Sequence, residues 1–175
     1  MAAATPKFIA DEMLGRLARW LRLLGIDTVY DPHLDDAELI RRAARESRIL
    51  LTRDTRLLRR RGLPPTLFVT DDHFRDQLRQ VASAFALDFR GWQLKRCSRC
   101  NELLAECSHA DVRDRVPAYV LRTQTHFLEC PRCRRVYWAA THVERMRAEI
   151  AQLFGRRPAV SSKSEPVSGG SPSRS

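Results

Sequence analysis

Two cysteine pairs, Cys97-Ser-Arg-Cys100 and Cys130-Pro-Arg-Cys133, are the sharpest chemical signal in this chain. A C-x2-C turn points two sulfurs the same way, and two such turns facing each other build the tetrahedral four-sulfur shell that zinc prefers. Four thiolates close that shell and leave no open position. The expected role is therefore one structural zinc ion, which supplies folding energy to a module too small for a large core. A redox dithiol needs only one such pair. The fifth cysteine, Cys107, reads as a small core residue. His109 and His126 lie nearby, but a complete sulfur shell offers them no place.

The second signal is a set of carboxylates at the ends of predicted strands. Asp11 ends Lys7-Phe-Ile-Ala-Asp11, Asp31 ends Asp27-Thr-Val-Tyr-Asp31, Asp54 follows Ile49-Leu-Leu-Thr52, and Asp71 and Asp72 follow Thr66-Leu-Phe-Val-Thr70. In an open parallel sheet, ligands bind beyond the carboxyl ends of the strands. Glu38 lies at the start of a helix that begins at the same edge. Carboxylates gathered this way repel one another unless a cation joins them, and hard oxygen donors suit magnesium or manganese. One or two such ions can activate water and stabilise the charge of an in-line phosphoryl displacement. The competing role for each acid is helix capping, and Asp31 and Asp35 fit it best.

The third signal is arginine. Arg16, Arg19 and Arg22 recur every third residue behind Asp11, and Arg53 adjoins Asp54. These are candidate phosphate contacts, set against the ordinary solvated face of an amphipathic helix. Arg99, Arg132, Arg134 and Arg135 stud the cysteine turns. Trp20 reads as a core residue before a base-stacking one.

Four strand–helix alternations must position these groups. The apolar spacing predicts helices over 13–24, from Asp35 or Asp36 to about 47, over 55–61 and over 73–85. Gly25 fits a left-handed cap to the first. Such alternation implies α/β architecture, a parallel sheet with helices on both faces. Near Trp92 the alternation stops and the cysteines begin. The expected organisation is an α/β domain over 1–92, a small zinc ribbon with a closing helix over 93–154 (that helix at 141–154), and a disordered Ser/Pro/Gly/Arg tail over 155–175.

Composition bounds the partners. Apolar residues make up 43% of 175 residues, enough for a real core, and the formal net charge is +10. All basic residues except Lys7, Lys95 and Lys163 are arginine, whose planar fork matches phosphate, although arginine-rich codon usage also produces such a bias. A basic chain attracts polyanions, nucleic acid first. No run of 18 apolar residues is present, so no membrane span is expected, and the start carries no hydrophobic signal segment. Five cysteines in a reducing, cytoplasmic setting argue for metal over disulfides.

The run Asp11-Glu-Met-Leu-Gly-Arg-Leu-Ala-Arg-Trp-Leu-Arg-Leu-Leu-Gly25, then Asp36-Ala-Glu38-Leu, then Ile49-Leu-Leu-Thr-Arg-Asp54 and the paired cysteine turns, resembles the Mut-seven C-terminal RNase domain family. The resemblance spans roughly residues 7–150. It implies a PIN-like three-layer α/β/α domain with an added zinc ribbon, and metal-dependent cleavage of RNA. Carried over by position, the acids would be Asp11, Glu38 and Asp54, with Asp71 or Asp72 as the fourth and Asp36 competing with Glu38. The expected function is an endoribonuclease. The alternative is a non-catalytic RNA-binding adaptor. Convergence of these acids within reach of one ion separates the two.

Overall fold

The computed structural model describes residues 5–89, 92–138 and 141–155. Four short strands, β1 (Phe8–Ala10), β2 (Thr28–Tyr30), β3 (Ile49–Thr52) and β4 (Thr66–Phe68), form one sheet in the order β2-β1-β3-β4, all parallel. Three helices cover its faces: α1 (Gly15–Leu23), α2 (Asp36–Arg45) and α3 (Phe74–Ala84). Alternation along the strands decides which helix packs where. Phe8, Ala10 and Leu51 face α1 and α3, whereas Ile9, Leu50 and Val29 face Leu39 and Ala43 of α2. This is the three-layer α/β/α arrangement that the strand–helix alternation implies. The predicted helix over 55–61 is only a 3-10 turn, Leu57–Arg59, whose buried Leu57 joins the α2 face. Gly62, at φ 72, follows that span and leads into Pro64-Pro65, which leaves no room for a longer helix.

The helix ends are built alike. Gly25 (φ 85) closes α1: its N–H donates to Arg22 O, and Ile26 N–H to Leu21 O. This pair of bonds satisfies carbonyls the helix cannot. Ser47 (φ 50) and Ala86 (φ 49) close α2 and α3 with the same bonds. At the other end of α1, the 3-10 turn Glu12–Leu14 separates Asp11 from the helix. A side chain at Gly15 would lie 2.6 Å from Tyr30 Oη, so the start of α1 can pack on β2 only through glycine.

A second sheet follows: β5 (Ala105–Cys107), β6 (Phe127–Glu129) and β7 (Val136–Trp138), antiparallel in that order. Two short helices, α4 (His109–Val112) and α5 (Ala118–Thr123), lie between β5 and β6. They bury Val112, Val116, Val120 and Phe127 in a small core of their own. The last helix, α6 (Thr141–Phe154), returns to the first sheet. Ile150 joins the α1/α3 core, Phe154 meets Phe89 edge-on at 5.0 Å, and Arg75 pairs with Glu149 at 2.5 Å. The disorder expected from residue 155 onward concerns residues outside those described, Gly155 excepted. No helix among the described residues is long and apolar enough to cross a membrane.

The ribbon is seated on β2, an edge strand whose open hydrogen-bonding side would otherwise be a liability. Asn101 accepts from Thr28 N–H (3.0 Å) and donates to Asp27 (2.7 Å). Asp27 is also paired with Arg48 at 2.6 Å. From α1, Arg22 reaches the carbonyls of Thr28 (2.7 Å) and Tyr30 on β2, and those of Ser98 and Arg99 (2.8 Å) on the first cysteine turn.

Candidate functional site

The strand order reverses between β1 and β3, so the crevice between their carboxyl ends is the topological switch point where open α/β sheets bind ligands. Asp11 leaves β1 there and Asp54 lies two residues beyond β3. Asp11 is buried, 6% exposed, yet fully partnered. Its Oδ1 accepts from Met13 N–H, while its Oδ2 accepts from the Thr52 hydroxyl and from Arg53 N–H (2.8 Å). Thr52 Oγ1 in turn accepts from Asp54 N–H at 2.9 Å. One hydroxyl thus ties both acids to one point. Asp54 accepts from Arg56 N–H at 2.7 Å, which does most to hold its carboxyl below the usual carboxylate range.

Both acids open onto one cleft of about 630 Å³. Glu12, Asp31, Asp35 and Asp36 line it as well, together with Arg53, Arg56 and Arg60. Six acidic residues against three arginines make the lining net negative, which a hard divalent cation would relieve. The donor set therefore fits magnesium or manganese in kind. Three further cleft acids have local duties: Asp31 accepts from His33 N–H at 3.0 Å, Asp35 caps α2 through Glu38 N–H, and Asp36 pairs with Arg60 at 2.9 Å.

The remaining expected acids lie elsewhere. Glu38 does not line the cleft and is bound to Arg41 at 2.8 Å on the surface of α2. Asp71 and Asp72 are exposed beyond β4, and Asp72 pairs with Arg53. Among the described residues, no three carboxylates come within ligand distance of one another as the cysteines do. The structure does not bring Asp11, Glu38, Asp54 and Asp71 or Asp72 to one point: Asp11 and Asp54 share their cleft with Asp31, Asp35 and Asp36. Asp31 answers to both of its expected roles, lining the cleft at the strand end and accepting from His33 N–H in a local turn. Thr52 was missed, although a hydroxyl two residues before a strand-end acid is itself a signal.

The arginines divide. Arg16 and Arg19 are exposed, with the Arg16 guanidinium 3.8 Å over the Phe74 ring. Arg22 is 5% exposed, its donors spent on the four carbonyls named above. It is an interior brace, and the stripe expected over Arg16, Arg19 and Arg22 ends at Arg19. Burial pulls its guanidinium below its ordinary value, against the raising influence of the neighbouring Cys97, Cys100 and Asp27.

The second centre matches its expectation. The sulfurs of Cys97, Cys100, Cys130 and Cys133 all lie within 4.8 Å of one another, and Cys97 and Cys133 are 3.6 Å apart. Zinc–sulfur bonds of about 2.3 Å require a tetrahedron with edges of about 3.8 Å. The two turns are copies. Asn101 (φ 68) and Arg134 (φ 61) each follow the second cysteine in left-handed conformation, donating to the carbonyls of Cys97 and Cys130. The sulfurs of Cys97 and Cys130 accept from the N–H groups of Cys100 and Cys133. Tyr137 donates to Cys97 Sγ at 3.2 Å. Burial opposes ionisation of Cys97, but that hydroxyl and the N–H groups of Cys100 and Arg99 outweigh it and bring the thiol down to about 7. These four residues form a metal-binding cluster that fits zinc. Cys107 stands apart on β5, packed against the core of α4 and α5.

A family model described as Mut7-C RNAse domain matches residues 6–150. The chain belongs to that family. The match takes in both the acidic cleft and the cysteine cluster, so the two centres are parts of one family unit. A ribonuclease-type function, with RNA as the substrate class, is what this membership indicates. No curated protein and no solved structure matches the chain.

Proposed function

We propose that this protein is a metal-dependent endoribonuclease whose active cleft lies between β1 and β3, and that the zinc ribbon over 93–154 helps the α/β domain over 1–92 to hold RNA. The observation that carries the reading is the excess of carboxylate around a buried, hydrogen-bonded Asp11 at the switch point. Asp11 and Asp54 would hold one or two magnesium or manganese ions, with Asp36, at the start of α2, lining the same cleft. Such an ion supplies Lewis acidity toward water and the scissile phosphodiester. The chain itself supplies the rest. Thr52 and Arg53 N–H fix the Asp11 carboxylate, so no ordering cost falls on it at the moment of reaction. Arg53, Arg56 and Arg60 line the same cleft in ion pairs with Asp72, Asp54 and Asp36, and would contact phosphate oxygens only by exchanging those partners. Arg16 and Arg19, exposed on α1, are further candidate phosphate contacts. The cysteines would carry one structural zinc ion. The proposed setting is the cytoplasm, where reduced thiols favour metal.

Cleavage of an RNA strand in magnesium or manganese tests the reading. Asp11→Asn is expected to lower the rate about 10³-fold or more while the fold persists. EDTA should stop the reaction, and added magnesium, not zinc alone, should restore it.

A non-catalytic RNA-binding role is supported by the failure of any three carboxylates among the described residues to converge, and by the ion pairs of Glu38 and Asp72 outside the cleft. It predicts tight, salt-sensitive RNA binding without divalent metal and no cleavage of any RNA class.

A further inference from the structure

A second cleft, of about 740 Å³, runs along the seam between β2 and the zinc ribbon. Its walls come from both modules: Arg42 and Arg48 from the α/β domain, Arg96, Arg99 and Arg132 from the ribbon. Not all of these are available. Arg48 is committed to Asp27 and Glu46, and Arg96 to the carbonyls of Gly25 and Asn101. Arg99 is different. It is exposed, and its guanidinium has no ion pair or hydrogen bond among the described residues. Arg132 is exposed too, with only a 3.9 Å approach to Glu102. Both sit in the middle of a C-x2-C turn, where the cysteines on either side fix the backbone. The ordering cost of holding an anion there falls on the two side chains and not on the backbone.

The seam also adjoins the acidic cleft. Asp31, at the end of β2, lines both. A strand lying in the acidic cleft that continues past Asp31 and Pro32 enters the seam directly. We infer that the seam is a phosphate-binding path for the RNA strand, gripped by Arg99 and Arg132, continuous with the proposed active cleft. The inference rests on the ribonuclease reading for its ligand, but it assigns the ribbon a share of substrate binding beyond the support of its own fold. One rival explanation has the same origin: four thiolates on one zinc ion carry net negative charge, which Arg99 and Arg132 would offset without touching RNA.

The test uses the full, zinc-loaded chain carrying Asp11→Asn, so that binding is read without cleavage, and a short fluorescent single-stranded RNA followed by anisotropy. Arg99→Ala with Arg132→Ala is compared with Arg113→Ala with Arg122→Ala, an equal charge change on exposed ribbon arginines outside the seam. The seam pair is expected to weaken binding about ten-fold or more at low salt and to reduce the slope of log Kd against log salt by about 1.4, two single-strand contacts. The control pair should leave the slope nearly unchanged. Zinc retention against a chromophoric chelator is measured on every variant. Equal effects from both pairs, zinc loss without loss of RNA affinity, or no binding by the parent protein each overturn the path. Cleavage by the wild-type chain is scored separately. An inert wild type with seam-dependent binding removes the enzyme reading alone, whereas an active one with seam-independent binding removes the path alone.

Discussion

Thr52 joins the two acids that the proposed chemistry depends on. Its side chain is buried; it donates to Asp11 and accepts from Asp54 N–H. Thr52→Val keeps the shape and removes both bonds. The buried Asp11 oxygen then loses one of its donors, at a stability cost of about 1–3 kcal/mol. On the proposed reading kcat for RNA cleavage falls about ten-fold or more while KM changes little, because Asp11 is misplaced and not removed. Thr52→Ser retains both bonds and is expected to stay within a few-fold of wild type. Loss of KM alone in the valine variant would place Thr52 in substrate binding instead. At this scale the cysteines were fully legible, because a C-x2-C turn leaves little freedom in where the sulfurs point. The carboxylates were legible only in part. Position at a strand end places Asp11 and Asp54 in the crevice, but on a helix the side-chain direction decides. Glu38 stands two residues after Asp36, a rotation of about 200°, so the cleft that receives Asp36 turns its back on Glu38.

Helix geometry also explains the arginines of α1. A three-residue step advances about 300°, so each successive arginine falls back by about 60°, and two steps carry Arg22 about 120° from Arg16. That rotation takes it from the solvent face to the flank packed on β2 and the ribbon. Arg22→Met fills a similar volume but leaves the carbonyls of Thr28, Tyr30, Ser98 and Arg99 without their donor. We expect a loss of about 3 kcal/mol in denaturant unfolding, against a few tenths for Arg19→Met on the exposed face. Equal losses would mean that the brace contributes nothing. The elements themselves were largely readable from apolar period. The closing turn of α1 showed because it carries Gly25, whereas the identical turns at Ser47 and Ala86 use residues that do not advertise a left-handed backbone. The helices α4 and α5 were not foreseen. Four and six residues are too few to display a period, and only the Ser108–Asp111 capping box marks the first.

At the scale of the molecule, the question is what keeps the ribbon on the edge of the sheet, since the seam depends on that seating. Asp27 is at the centre of it, bonded to Arg48 and Asn101 and 4.0 Å from Arg96. Burial works against its charged form, but the hydrogen bonds from Arg48 and Asn101, with the charges of Arg48 and Arg96, outweigh it and hold the carboxyl below its ordinary value. A carboxyl depressed in the folded state contributes stability that is complete above its unfolded value, about 3.9, and is lost as pH falls through the lower folded value. The zinc cage also fails in acid as thiolates take up protons, so the wild-type curve alone cannot isolate Asp27. Asp27→Asn provides the reference, because it carries the same cage and lacks the ionisable group. We expect the wild type to exceed this variant by about 2 kcal/mol at pH 7 and by the same margin at pH 5. The two melting temperatures should then converge as the pH drops below about 3.9. A gap that persists at full size into strong acid would show that Asp27 acts by packing and not by charge, and the seat of the ribbon would have to be sought in Arg22 and the bond from Thr28 N–H to Asn101.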